Sequence, residues 1–158
     1  MEPFLTWLQD LPLSMWVAQS ESLWAYPFIL FVHTVGVALT GGSAAVILLR
    51  VLGFAESLPF RAVRPLLPCL WTGFVLNAIS GTLLFIAAAT SIGFVPVFYA
   101  KLAFLFLAIL TLLPVRGFIE TDRTADRDIP LRIKGFAAVS LLLWAGVVTA
   151  GRLTAYSR

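Results

Sequence analysis

Three ionisable residues lie inside segments that are otherwise apolar and helix-forming: His33, which is the single histidine, together with Lys101 and Arg152. A charged side chain within a membrane-spanning helix costs a few kcal/mol, so such residues usually face the interior of a helix bundle and serve a function. An imidazole can bind a metal or haem iron, and cationic side chains bind carboxylates and phosphates. These three residues are therefore the first candidates for a site.

The composition indicates an integral membrane protein. Hydrophobic residues make up 60% of the 158 residues and charged residues 12%, against about 25% charged in a typical soluble domain. A basic stripe interleaved with aromatic residues is not seen, so we expect no nucleic-acid partner. The length suits about four spans of roughly 20 residues. We therefore predict an all-α, integral membrane four-helix up-and-down bundle that forms a single domain over residues 1–158.

Hydropathy places the four spans at about residues 24–49, 66–89, 97–113 and 135–156, after a short interfacial helix over about 3–18. The charged stretch 120–128 is predicted to be a solvated loop. Basic residues cluster in the first and third connections between spans, which the positive-inside rule assigns to the cytoplasm. We expect a multi-pass protein of a bacterial inner membrane with both termini outward, in the periplasm of a Gram-negative cell.

The candidate residues fall at similar depths beneath the predicted outer interface, which is marked by Tyr26, Tyr99 and Tyr156. At 1.5 Å per helical residue, His33, Lys101 and Arg152 lie about 10, 3 and 6 Å inside it. Helical spacing predicts three inward-facing stripes: Tyr26, His33, Gly36 and Thr40; Gly73, Asn77 and Ser80 or Gly81; and Ala138, Ala145, Thr149 and Arg152. The predicted cofactor-binding residues are His33, Lys101, Arg152, Tyr26, Asn77 and Tyr99.

Haem b is the cofactor that these residues suggest first. It needs an apolar slot between helices, an axial imidazole from His33 and cations for its two propionates. One histidine per chain cannot supply two axial imidazoles unless two protomers share a haem, so a monomeric site would be five-coordinate or use another ligand. Copper is the lesser possibility, because its second soft ligand would have to be Met15. Three alternatives stay open: His33 as a helix-helix hydrogen bond, His33 as a proton relay, and the two cations as snorkelling anchors.

Several motifs resemble a bacterial family of small four-helix membrane proteins of unknown function. They cover most of the chain from Ser20 onward and lie at residues 22–27, 33–36, 49–53, 71–74, 80–85, 98–102, 142–148 and 151–156. The resemblance implies a four-helix membrane fold and brings no settled activity. Members of that family often carry a histidine at the end of the third span, where this chain has Pro114, Val115 and Arg116.

A first-span histidine followed by a third-span lysine also resembles, more distantly, the haem-binding membrane protoporphyrinogen oxidases and the copper-resistance D membrane domains. This resemblance implies that His33 is the haem ligand and Lys101 its essential companion. We therefore expect a haem b-binding protein with a redox or electron-transfer role at an outward-facing pocket. The alternatives are an accessory or scaffold subunit whose cations bind lipid phosphates, and a small-anion carrier. The expected partners are the lipid bilayer and either further copies of the chain or a larger membrane complex.

Overall fold

The computed structural model describes residues 1–54, 56–121 and 129–156, without the side chain of Ala155, and these residues are almost entirely helical. The helices in chain order are α1 (Glu2–Gln9), α2 (Pro12–Gln19), α3 (Tyr26–Leu52), α4 (Phe60–Val63), α5 (Leu66–Ala87), α6 (Ala89–Ile92), α7 (Pro96–Thr121) and α8 (Leu131–Tyr156). The four long helices α3, α5, α7 and α8 are each long and apolar enough to cross a membrane. This confirms the prediction of an all-α protein with four such helices.

The long helices form two antiparallel pairs, α3 with α5 and α7 with α8, and α3 also packs on α8. Helices α3 and α5 approach closely where Gly36 faces the backbone of Gly73 and Asn77. Between α7 and α8, the Ser140 hydroxyl donates to the Ala108 carbonyl oxygen at 3.1 Å. We call the end where α3 and α7 begin and α5 and α8 end the mouth end, and the opposite end the closed end.

The main hydrophobic core lies in the half of the bundle towards the closed end. Its buried members come from all four long helices and from α4, for example Ile47 of α3, Leu70 of α5 and Leu112 of α7. Every α7 residue from Pro96 to Leu107 is at least partly exposed, whereas Ala108 and three later α7 residues are buried. The two helix pairs are therefore joined at the closed end and leave a cleft between them towards the mouth end.

Two helices extend beyond the predicted spans at the closed end. The third span was predicted to end at 113, but α7 continues through Pro114 to Thr121. Proline removes one intrahelical hydrogen bond, and the burial of Val115 and Ile119 in the core favours continuation of the helix. The fourth span was predicted to begin at 135, whereas α8 begins at Leu131. Of the predicted loop 120–128, residues 120 and 121 belong to α7 and 122–128 lie outside the described residues.

The predicted interfacial helix over 3–18 is two helices, α1 and α2. Leu11 precedes Pro12 and has an extended backbone (φ −61°, ψ 140°), because a proline ring disfavours the helical conformation of the preceding residue. The Ser14 hydroxyl donates to the Ile86 carbonyl oxygen at 2.8 Å. The Gln9 side-chain oxygen accepts from the Thr90 N–H at 3.1 Å. These contacts hold α1 and α2 against the mouth ends of α5 and α6.

Candidate functional site

A cleft of about 660 Å³ lies between the long helices in the half of the bundle towards the mouth end, and all four helices line it. We call it the mouth cleft. The structure brings five of the six predicted site residues into its lining: His33, Asn77, Tyr99, Lys101 and Arg152. The sixth, Tyr26, is the first residue of α3 and is not among the described lining residues. Most of the remaining lining is apolar.

The His33 imidazole is held between α3 and α5. A Cβ atom on Gly81 would lie 3.1 Å from His33 Cε1, so the glycine provides the room that the ring occupies. The ring nitrogen Nδ1 lies 3.1 Å from Ser80 Oγ. Ser80 is buried at 2% exposure, so this contact is shielded from solvent.

The contacts of the Ser80 hydroxyl are the basis for assigning the tautomer of His33. Ser80 Oγ donates to the Leu76 carbonyl oxygen at 2.6 Å, and the Asn77 carbonyl oxygen is the alternative acceptor at 3.4 Å. The contact with Leu76 is the shortest of the three, so we place the hydroxyl hydrogen there, which leaves Oγ to accept from His33 Nδ1. We therefore assign a proton to Nδ1 and a free lone pair to Nε2. A histidine that binds a metal is commonly oriented by a hydrogen bond from its other ring nitrogen.

Two cationic side chains lie near the mouth of the cleft. The Lys101 stem passes Gly151, where an added Cβ would lie 3.7 Å from Lys101 Cε, and the ammonium interacts electrostatically with His33. Arg152 follows Gly151 directly and is exposed, with its Cζ 5.8 Å from the centre of the Tyr156 ring. The lysine stem therefore lies beside the helix that carries the arginine.

These cations have no acidic partner within the described part of the chain. Neither Lys101 nor Arg152 forms an ion pair there, and none of the described residues that line the cleft is an aspartate or glutamate. A pair of cations at the edge of an apolar cleft attracts an anionic group, and its field is strengthened by low-dielectric walls. The cleft therefore suits a largely apolar ligand that carries negative charge.

The two remaining predicted residues contribute differently. The backbone of Asn77 contacts the His33 ring and lies against Gly36, so α5 is close to α3 at this level. The hydroxyl of Tyr99 donates to the Gly93 carbonyl oxygen at 2.8 Å. Tyr99 therefore fixes the start of α7 to the turn that precedes it.

The predicted inward stripe on α8 is wrong at two positions. Ala145 and Thr149 are exposed, and the Thr149 hydroxyl bonds to its own helix at the Ala145 carbonyl oxygen. The buried face instead contains Trp144 and Val147, which line the cleft. The stripe was chosen by small and polar residue types, whereas larger apolar residues of α8 fill the space beside the core. The predicted and observed inward faces differ by a rotation of α8 about its own axis, which residue type did not indicate.

The arrangement does not favour the copper alternative. Met15, the second soft ligand which that site would need, lies on α2 and is not among the described lining residues. No group of three or more histidine, cysteine or acidic residues that could hold a metal ion occurs in the described ranges. His33 is therefore the one strong metal donor among the described residues of this cleft.

In comparisons with known proteins, no family model, curated protein or solved structure matches this chain. The class is defined by the fold and the site alone. The chain is an all-helical protein with four helices long and apolar enough to cross a membrane, and it has a cationic cleft containing a histidine.

Proposed function

We propose that this chain is a multi-pass protein of a bacterial inner membrane that binds haem b in the mouth cleft and has a redox or electron-transfer role. His33 Nε2 is the axial ligand, and Lys101 and Arg152 neutralise the propionates. Both termini and the mouth end face outward. Bound haem would supply one-electron chemistry at its iron.

The observation that carries the proposal is the state of His33. Its Nδ1 lies 3.1 Å from Ser80 Oγ, and with the serine hydrogen assigned to the Leu76 carbonyl oxygen, Nε2 keeps the lone pair that iron would require. The contact also restricts the orientation of the ring, which lowers the entropy lost when a ligand binds. The residue lines a cleft of about 660 Å³, within the usual range of about 300–1,000 Å³ for small-molecule sites.

The charges of the cleft support the same assignment. Haem b is a flat apolar macrocycle with two carboxylates on one edge, and the cleft combines apolar walls with two cations near its mouth. Lys101 and Arg152 lie five residues after the first and four before the last residue of their helices, which is roughly 6–8 Å from those ends. Long cationic side chains at that depth reach the interface. The propionates would thus lie near the aqueous side.

A visible absorption spectrum tests the proposal. The protein is purified in detergent, supplied with haemin, freed of excess haemin and compared with His33→Ala. We expect a Soret band and reduced b-type bands in the wild type and their loss in His33→Ala. Thr34→Ala is the matched control, because Thr34 is exposed and bonds only to its own helix at Leu30. A wild type without a Soret band, or an unchanged His33→Ala, contradicts haem binding and leaves the accessory-subunit and anion-carrier alternatives.

A further inference from the structure

The mouth cleft is open on one side, between α5 and α7. The other neighbouring pairs of long helices pack extensively, whereas α5 and α7 approach each other at few described positions. Residues from both helices nevertheless line the cleft, including Ala78 and Thr82 of α5 and Leu102 of α7. All three are exposed, so neither helix covers the cleft along this side. They therefore form the two edges of a gap that connects the cleft with the side of the bundle.

A pair of aromatic rings closes this gap at the mouth end. Phe85 of α5 and Phe98 of α7 are stacked with their ring centres 5.0 Å apart and their planes 5° apart. Both residues line the cleft. The gap therefore faces sideways, below the ring pair, and its edges are mostly apolar.

We propose that this gap is a lateral opening to the hydrocarbon phase, and that the cleft takes its ligand from the bilayer as an anionic amphiphile. The ligand's apolar part passes between α5 and α7, and its charged group is held by Lys101 and Arg152. This inference rests on the proposed membrane location and the proposed ligand-binding role, and it specifies the phase from which the ligand comes.

The physical reason is the chemistry of the gap edges. An opening lined by Ala78 and Leu102 offers water few hydrogen-bond partners, so in a membrane it is filled by hydrocarbon rather than by water. A hydrophilic anion approaching from the side would lose its hydration before it reached either cation. An amphiphile keeps its apolar part in hydrocarbon and moves only its head group to the cations.

Trp144 provides a reporter inside the cleft. It lines the cleft and is only 6% exposed, so a quencher carried on an acyl chain has to enter the cleft to contact its ring. The experiment uses a chain in which Trp7, Trp16, Trp24 and Trp71 are changed to Phe, leaving Trp144 as the single tryptophan. This protein is reconstituted into phosphatidylcholine vesicles with or without bromine atoms in mid-chain.

We expect strong quenching of Trp144 by brominated lipid and its loss when the gap is filled by Ala78→Phe with Thr82→Phe. The matched control is Val75→Phe with Ile79→Phe, two α5 positions that are exposed and not in the described lining, and there quenching should persist. Absent quenching in the single-tryptophan chain, or equal quenching in the filled and control variants, overturns the lateral opening. No haemin is present, so failure of haem binding does not affect this result.

The charge requirement is tested with a brominated fatty acid as the probe. We expect it to quench Trp144 at a lower mole fraction than neutral brominated phosphatidylcholine, and this preference should disappear in Lys101→Met with Arg152→Met. The same preference in the double variant would contradict the role of the cations. A preference for the fatty acid that survives filling of the gap would contradict the route of access.

Discussion

At the scale of single residues, the site depends on a hydrogen bond between a serine hydroxyl and the Nδ1 atom of a histidine. Ser80 is buried and donates within its own helix, so His33 offers Nε2 to the cleft. The sequence could predict that His33 and Ser80 lie on facing stripes of neighbouring helices. It could not predict the tautomer, because that depends on which carbonyl oxygen receives the serine hydrogen.

Lys101 and Arg152 are each expected to contact an anionic group of the ligand. Replacing either by Met keeps much of the apolar stem and removes one charge-assisted contact, which is worth roughly 1.5–3 kcal/mol, or about ten- to a hundredfold in affinity. Arg152→Lys should also weaken binding, because an ammonium cannot reproduce the planar guanidinium fork.

The measurement for these variants is the dissociation constant of haemin in detergent. Arg132→Met is the control, because Arg132 is an exposed cation in the first turn of α8 at the closed end. Three cleft variants with wild-type affinity would reduce Lys101 and Arg152 to anchors at the membrane interface.

At the scale of helices, the position of His33 depends on the close approach of α3 and α5. A Cβ on Gly73 would lie 2.7 Å from Leu39 Cβ and 2.8 Å from the Thr40 backbone nitrogen. Small residues at such positions let membrane helices approach closely. The predicted stripes contained Gly36 and Gly73 on facing sides, so residue type alone gave this contact. The long helices are only weakly amphipathic. The sequence therefore did not indicate which face of α8 is buried or that a gap separates α5 and α7.

Gly73→Ala should destabilise the α3–α5 pair, because the added methyl meets backbone that cannot move freely. Overpacking of this kind typically costs about 1–3 kcal/mol, and the shift of α5 should also disturb the contact between Ser80 and His33. The measurement is thermal unfolding in detergent. Gly42→Ala is the matched control on α3, since nothing lies within 4 Å of its added Cβ. Equal melting temperatures for both variants and the wild type would show that the two helices are not in tight contact.

At the scale of the whole molecule, four long helices could be predicted because the sequence contains four apolar runs that are long enough to cross a membrane. At the closed end α7 extends beyond the predicted span, through Pro114, and buries Val115 and Ile119 in the core. An even number of antiparallel long helices returns the chain to the end of the bundle where it began. The start of α3 and the end of α8 therefore both lie at the mouth end. The prediction that the mouth end faces outward is based on the basic residues near the closed end.

The positive-inside rule gives a topology prediction for the whole chain. Fusions after Arg158 should show high alkaline phosphatase activity and no fluorescence of a green fluorescent protein, whereas fusions within residues 122–128 should show the reverse. A duplicate reporter after Arg61, in the other basic connection, serves as the control and should match the second pattern. A fluorescent C-terminal fusion would put the mouth cleft on the cytoplasmic side and refute the outward orientation.

The central claim is that iron binds at His33 Nε2, and ligand rescue measures this directly. In His33→Gly the imidazole is removed and a space is left beside Gly81. We expect this variant to bind little haemin alone and to regain a b-type Soret band when free imidazole is added, since the added ring supplies the missing nitrogen. Full haem content in His33→Gly without imidazole, or no recovery with imidazole in a monodisperse protein, would contradict axial ligation by His33.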